Sequence, residues 1–498
     1  MSALKKVIPE EYKQTEVGVI PKDWSVIAVK SICKEIFLGL TSKVDYVEYG
    51  GIPLIRATDI AAGNLSFDKV RTISLKQHEK LTQYRRAKKG DVLVSKSGSL
   101  GVCALVDVDR EFSIYESIIV LQPTAKLDSI YLLSLLRSEE TQFRMIGEKV
   151  GSSVAHLNIE MFRKLSIPLP SCKQEQVKIG QVINDADALL TALEKLIAKK
   201  QAIKTATMQQ LLTGKTRLPQ FAFYSNESAK VATGTEDTLK GKSQGQAKYS
   251  SATNVNVEAY DDGSLAFQAS GGMDSLPVGK SKGTKPSELG EIPEDWEVSS
   301  LGELVTIASG DSPSRFEFIS DGIPYFKVEQ LNNGRVYADE TEYKIITNKV
   351  ISAGSIIFPK RGASILLNKI RVLKNNSFMD TNLMTLTCNN LLDNMYLYNV
   401  LIYQGLDNVA DTTSIPQINN KHIIPFLIPL PPKKEQTAIA TILSNMDNEI
   451  QTLEQRLAKT RQIKQGMMQE LLTGRTRLPF DSTFDAVTEE NKEVANAN

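Results

Sequence analysis

The sequence is poor in the residues that build catalytic and metal centres. It has three histidines, His78, His156 and His422, and only two tryptophans, Trp24 and Trp296. The four cysteines, Cys33, Cys103, Cys172 and Cys388, lie far apart and form no Cys-x-x-Cys pair. Structural zinc is therefore not expected, and buried thiols in a reducing cytoplasm are. The histidines are too scattered for a metal site and are expected as ordinary loop or surface residues. No apolar run reaches the ~18 residues of a membrane-spanning helix. The charged segment Met1–Lys13 has no apolar stretch, so no signal peptide is expected. No Gly-x-Ser-x-Gly elbow, Ser/His/Asp grouping, Asn-Pro-Pro-aromatic methylation motif or nuclease-like cluster of acids with a lysine is visible. Val278-Gly279-Lys280-Ser281 looks like the end of a phosphate-binding loop, but Asp274 stands where its first glycine is required. An excess of one charge sign is missing too: the net charge is +1.

What is present is a duplication. Lys13-Gln14-Thr15-Glu16-Val17-Gly18-Val19-Ile20-Pro21-Lys22-Asp23-Trp24 returns as Lys285-Pro286-Ser287-Glu288-Leu289-Gly290-Glu291-Ile292-Pro293-Glu294-Asp295-Trp296. Met208-Gln209-Gln210-Leu211-Leu212-Thr213-Gly214-Lys215-Thr216-Arg217-Leu218-Pro219 returns as Met468-Gln469-Glu470-Leu471-Leu472-Thr473-Gly474-Arg475-Thr476-Arg477-Leu478-Pro479. Two copies of one unit can pack about a pseudo-two-fold axis, and duplex DNA offers matching symmetry to a reader of two half-sites.

A chain of 498 residues is too long for one core. With 41% hydrophobic and 23% charged residues it reads as soluble and globular. The boundaries expected are a first globular domain over 1–172, a long helix within 173–220, a polar linker over 221–284, a second globular domain over 285–432, a second long helix within 433–480 and an acidic tail over 481–498. Each globular domain opens on a Gly-x-Ile-Pro-x-Asp-Trp turn. Strand-like runs follow at Ile52–Arg56 and Ile323–Lys327, then at Lys89–Lys96 and Ala353–Lys360. A helical stretch, Ser129–Ile146, lies between strands, which suggests an α+β unit with a mixed or mostly antiparallel sheet. Glu175–Leu212 and Glu435–Leu472 space apolar residues three and four apart without an internal proline, a helix and coiled-coil signal. Ser171-x-x-Gln174 fits a capping box, and Gly214 and Gly474 fit C-terminal caps. About 38 residues at 1.5 Å give a rod of roughly 57 Å, and two such rods can bury each other's stripe if antiparallel. The segment 285–432 carries 12 basic and 17 acidic residues, so its cations must cluster on one face, or a partner must supply backbone contacts, if it is to meet phosphate.

These motifs resemble one family. The Ile-Pro-x-Asp-Trp openings, the Ile167-Pro168-Leu169-Pro170 and Ile428-Pro429-Leu430-Pro431 hinges, the Glu175-Gln176 and Glu435-Gln436 helix starts and the Leu-Leu-Thr-Gly-x-Thr-Arg-Leu endings are similar to those of the DNA-specificity subunit of type I restriction–modification systems. The resemblance spans about 13–219 and 285–479. It implies two target-recognition domains with mixed β-sheets, separated by a long antiparallel two-helix coiled coil with an internal pseudo-two-fold repeat. It implies a non-catalytic subunit that reads double-stranded DNA and recruits two methyltransferase and two ATP-dependent restriction subunits. S-adenosylmethionine, ATP and Mg would then belong to those partners, because methylation needs the base taken out of the stack into the methyltransferase. A competing reading of the same features is a coiled-coil scaffold whose globular units bind proteins or glycans; an enzyme with an unrecognised site fits least.

Polar positions following apolar strands are the candidate readers of DNA. In the first domain these are Arg56 and Thr58, then Lys96, Ser97 and Ser99 around Gly98. The cluster Arg85, Arg86, Lys88 and Lys89 is a candidate phosphate contact. In the second domain they are Lys327, Glu329 and Gln330, then Lys360, Arg361 and Ser364, of types suited to purine edges in the major groove. A further matched loop, Ser153-x-x-His156-x-Asn158 and Ser414-x-x-Gln417-x-Asn419, fits either DNA contact or turn-forming hydrogen bonds. Lys195, Lys199, Lys200 and Lys204 read as a solvated helix face.

Overall fold

The computed structural model describes residues 8–39, 44–146, 157–224, 255–259, 265–269, 281–334, 336–411 and 416–479. The chain divides into two compact units, Met1–Glu194 with Arg456–Asn498, and Lys195–Gln455. Each unit therefore takes one half of each long helix, Lys173–Leu212 and Lys433–Leu471.

In the first unit a four-stranded antiparallel sheet runs in the order Cys33–Leu38, Ile118–Pro123, Val92–Ser95, Cys103–Leu105, with Val120 opposite both Phe37 and Leu93. Its central strands carry the apolar runs Ile118–Leu121 and Val92–Val94 because both faces are covered there. Side chains alternate across a strand, so Val92, Val94, Ile119 and Leu121 enter a core with Trp24 and the helix Ser129–Arg137. Leu93, Ile118 and Val120 enter a second core with Ile55 and Ile114. Those last two come from a mixed sheet in the order Ser113–Ile114, Ile52–Ile55, Thr72–Ile73, Tyr46–Val47, whose first pair is parallel.

The second unit repeats this plan. Val305–Ser309, Leu383–Cys388, Ile356–Pro359, Arg371–Leu373 and Tyr337–Ala338 form a five-stranded sheet, antiparallel except for its last pair. Lys344–Ile345, Ile323–Phe326 and Phe378–Met379 form a three-stranded mixed sheet. Both units are α+β.

Several local expectations change. The stretch Ser129–Ile146 is two helices, Ser129–Arg137 and Glu139–Ile146, because Ser138 between them is extended. The two Ile-Pro-Leu-Pro segments are strands rather than hinges: Ser166–Leu169 pairs with Ser25–Ala28, and Leu427–Leu430 with Glu297–Ser300. A two-stranded ribbon tolerates the proline that a central strand would not. Within the polar segment, Val255–Ala259 pairs with Leu265–Ala269, and Phe221 packs on the core of the second unit. The hydroxyl of Ser171, read as a helix cap, donates to Asp23 at 3.4 Å, and the helix begins at Lys173. Ile463, one of the regularly spaced apolar residues of Glu435–Leu472, is half exposed.

The repeated motifs form one device, built once in each unit. Asp128 caps Ser129–Arg137 by accepting from the N–H groups of Ile130 and Tyr131 at 3.0 and 2.9 Å. Gln176 at the helix start accepts the N–H of Asp128 at 3.0 Å. Neighbouring Glu175, 0% exposed, accepts the Trp24 indole N–H at 3.2 Å and meets the Arg477 guanidinium. In the second unit Asp393, Gln436, Glu435, Trp296 and Arg217 make the same contacts. Gly474 and Gly214 end the long helices with φ of +69° and +70°. A Cβ there would also stand 2.6 Å from Pro21 and 2.4 Å from Pro293, respectively. Glycine is required by conformation and by space.

The helix halves run antiparallel inside each unit. In the first, Asp187 pairs with Lys464, and Glu194 with Arg461 at 2.6 Å. In the second, Lys200 pairs with Glu449 at 2.7 Å and Lys204 with Asp447 at 2.5 Å. Those two lysines are interhelical partners rather than a free solvated face.

Candidate nucleic-acid interface

The ends of four strands meet at one edge of the first unit. Gly39 ends the first of them, and a Cβ on it would lie 2.1 Å from the carbonyl oxygen of Tyr115. The N–H of Tyr115 donates to Ile55 O at 2.8 Å, which places Arg56 beside it. Lys96 N–H donates to Ser117 O at 2.7 Å, and Ala57 N–H to the Ser117 hydroxyl at 3.1 Å. Arg56, Thr58, Lys96 and Ser97 are thus brought to one place from two distant runs of sequence. Arg56 opens a short 3-10 turn: its N–H donates to Asp59 at 2.8 Å, and its guanidinium lies 3.5 Å from the same carboxylate. The Thr58 hydroxyl donates to Asp59 at 3.2 Å. Ser99 is exposed, on a turn held by the Ser95 hydroxyl, which donates to its carbonyl.

The second unit builds the same edge from different side chains. Gly310 ends the first strand, and its Cβ would stand 2.1 Å from Met379 O and 2.3 Å from Asp380 O. Asp380 N–H donates to Phe326 O at 2.9 Å, and Lys360 N–H to Asn382 O at 2.8 Å. Lys327 and Lys360 therefore share the edge. Gln330 takes the role of Asp59, accepting the Lys327 N–H at 2.9 Å, so its carbonyl oxygen already has a partner in the turn. The Lys327 ammonium sits 3.4 Å from the Tyr343 ring centroid and 5.2 Å from that of Phe318, a cation–π placement the sequence did not signal. The Lys360 ammonium donates to Ser309 at 2.8 Å. Burial, and then the neighbouring Arg361, push its pKa below the usual lysine range against the opposing pull of Asp380. Arg361 is exposed, and Ser364 is half-buried in the turn that follows.

The basic cluster is placed otherwise. Lys88 and Lys89 precede the strand Val92–Ser95, whereas Lys96 follows it. Arg85 faces Glu35 at 3.3 Å, Arg86 meets Glu111 at 2.6 Å and Lys89 meets Asp109 at 3.0 Å. Three of its four cations are thus paired with carboxylates of their own unit, while Lys88 is exposed. Of the matched loop, Ser153, His156 and Ser414 lie outside the described residues. Asn158 accepts the Glu160 N–H at 2.9 Å, and Asn419 N–H donates to His422 at 3.1 Å, which are helix-start roles. His78 is a core residue rather than a surface one, 2% exposed and 2.9 Å from the Ser113 hydroxyl. His422 is half-buried and 3.1 Å from Asp411. Cys33 and Cys103 are buried; Cys172 and Cys388 are half-buried. Among the described residues no group of three or more His, Cys, Asp or Glu side chains is placed to hold a metal ion, and no helix is long and apolar enough to cross a membrane.

The family model of the type I restriction modification DNA specificity domain matches this chain twice, over 21–205 and 293–462. The chain belongs to that family. It is a type I specificity subunit, a non-catalytic component of its system. It is 26% identical over 483 residues to the type I restriction enzyme MjaX specificity subunit of Methanocaldococcus jannaschii, covering 94% of this chain and 97% of that one. The MjaVIII specificity subunit of the same organism is 22% identical over 488 residues, covering 94% and 96%. A solved S subunit of a type I system from M. genitalium shares the fold, with a TM-score of 0.50, 15% identity and coverage of 92% and 97%.

Proposed function

We propose that this specificity subunit reads an asymmetric bipartite DNA target, one globular domain per half-site, with the paired long helices setting the gap. The supporting observation is that one edge is built twice on one backbone plan with different side chains. Arg56 with Asp59 and Lys96 with Ser97 stand in the first unit, where Lys327 with Gln330 and Lys360 with Arg361 stand in the second. Equal scaffolds with unequal readers fit two different short words.

The subunit would recruit methyltransferase subunits and ATP-dependent restriction subunits, which bring S-adenosylmethionine, ATP and Mg. A groove that recurs in each unit supports such docking. Val17, Leu135, Pro168 and Leu472 line it in the first, and Leu289, Val400, Pro429 and Leu212 in the second.

Mapping methylated adenines in cells that carry this chain and its methyltransferase partner tests the reading. Exchanging 13–172 for the corresponding segment of another specificity subunit is expected to change one half of the mapped sequence and leave the other; change in both halves would refute the modular picture. Inserting one heptad in each long helix adds about 10 Å, and the unread gap is expected to grow by about three base pairs at ~3.4 Å each. Lys360→Ala is expected to weaken DNA binding by the complex and lower the slope of log affinity against log salt by about one. An unchanged slope would remove Lys360 from the phosphate contacts.

A further inference from the structure

The turn after Lys360 carries more than backbone reversal requires. Ten residues, 361–370, join Ile356–Pro359 with its Lys360 to the next strand, Arg371–Leu373; the equivalent turn in the first unit has six, 97–102. The longer turn is pinned at both ends. Ile365 and Ile370 are buried in the core. Gly362, at φ +80°, donates its N–H to Pro416 O at 2.9 Å. Asn368 is held at φ 47°, left-handed for a residue with a side chain, and its amide donates to Ile402 O at 3.1 Å. Successive turns close through Leu366 N–H to Ala363 O at 3.2 Å and Asn368 N–H to Ile365 O at 3.0 Å. At the apex of this braced loop Leu366 and Leu367 are 60% and 65% exposed.

A slack loop would fold two such side chains back against the protein. Here the buried isoleucines and the left-handed asparagine hold them outward, at the cost of strain in Asn368. Lys360 and Arg361 precede the pair and Lys369 follows it. The exposed apolar tip is thus bracketed in sequence by cations. Its complement is a polyanion with an apolar interior, which describes duplex DNA entered between its stacked bases.

We propose that Leu366 and Leu367 form a wedge that parts one base step within the half-site read by the second unit. The wedge rests on the DNA-reading function above and adds a side-chain role to it. It is also asymmetric: the shorter turn of the first unit carries one leucine, Leu100, which is half-buried. A step that unstacks cheaply, such as pyrimidine–purine, would be favoured without any hydrogen bond to its bases.

The test uses the full chain in complex with its methyltransferase partner. The probe is a duplex of the sequence that this complex methylates in cells, with 2-aminopurine placed at one position at a time in the half that survives the 13–172 exchange, other than the methylated adenine. Binding by the natural chain is expected to brighten one position severalfold. Leu366→Ser with Leu367→Ser is expected to abolish that brightening and weaken binding roughly tenfold or more. Its salt slope and melting temperature should be unchanged, because phosphate contacts and core are intact. The Leu→Met pair should retain the signal. Brightening that persists in the serine pair overturns the wedge. So does loss of the methyltransferase partner with DNA affinity retained, which would make the tip a protein contact. Failure of the natural complex to bind that duplex would instead strike the DNA-reading function itself.

Discussion

Arg217→Met is expected to destabilise the second unit by about 3–5 kcal/mol, the cost of stripping the partner from a buried charge. The Arg217 guanidinium meets Glu435 at 2.6 and 2.7 Å and Asp295 at 2.7 Å, and lies 5.7 Å from the Trp296 ring. Glu435 is 1% exposed and also accepts the Trp296 indole N–H at 3.0 Å. Without Arg217 that carboxylate stays in the core with one neutral donor. Adding Glu435→Gln keeps an acceptor for the indole and removes the charge, so the double variant should recover more than half of the loss. The deficit should also shrink in acid. Burial raises the Asp295 carboxyl, but the hydrogen bonds from Arg217 and Lys282 outweigh it and hold the group below the usual range. Its contribution is complete above the unfolded value near 3.9 and is lost as pH falls through the lower folded value. Urea denaturation gives the magnitude, and hydrogen exchange of the Glu297–Ser300 and Leu427–Leu430 pair assigns it to the second unit. A loss below about 1 kcal/mol, the range of exposed ion pairs, would show that this cluster does not hold the helix end.

Gly310→Ala is expected to disable the second half-site. A methyl group there would overlap Met379 O and Asp380 O. Both are backbone atoms, which cannot rotate aside. Overpacking of this kind costs about 1–3 kcal/mol, occasionally more, and the upper end is expected. The displaced strand end carries Ser309, which holds Lys360, and it would press on Asp380, whose N–H is bonded to Phe326 ahead of Lys327. Methylation mapped in cells should lose its dependence on one half-site, or disappear. Gly39→Ala should do the same for the other half, where the Cβ meets Tyr115 O. Gly466→Ala is the control: nothing stands within 4 Å of its Cβ, and alanine inside a helix should stabilise by about 0.5–1 kcal/mol. If Gly310→Ala bound DNA like the natural chain, the edge would not be the reading surface.

Part of the candidate edge is legible in the sequence. Arg56, Lys96, Lys327 and Lys360 each follow an apolar strand, and a polar residue so placed emerges at a sheet edge, where all four stand. Pairing of charges was not legible. Arg85, Arg86 and Lys89 read as a free basic patch, yet Glu35, Glu111 and Asp109 face them, and these acids come from other parts of the chain. Gln330 looked like a base reader and has its carbonyl oxygen occupied in closing its own turn. His78, which the sequence suggests is a loop or surface residue, is turned by its helix onto Ser113.

Periodicity, caps and duplication are local or self-referential properties, so the order of residues alone determined two α+β units, two long helices and their glycine ends. Recurrence of Trp, Glu-Gln and Thr-Arg-Leu also carries the resemblance to the family, and each of these residues has one physical task that is performed twice. Which half of which helix joins which unit was decided only in three dimensions. So was the use of Arg477 and Arg217 to neutralise carboxylates far away along the chain, and the convergence of four strand ends on Gly39 and Gly310. Those depend on long-range packing, where a contact is favourable only after distant segments have met, and no window of sequence contains both partners.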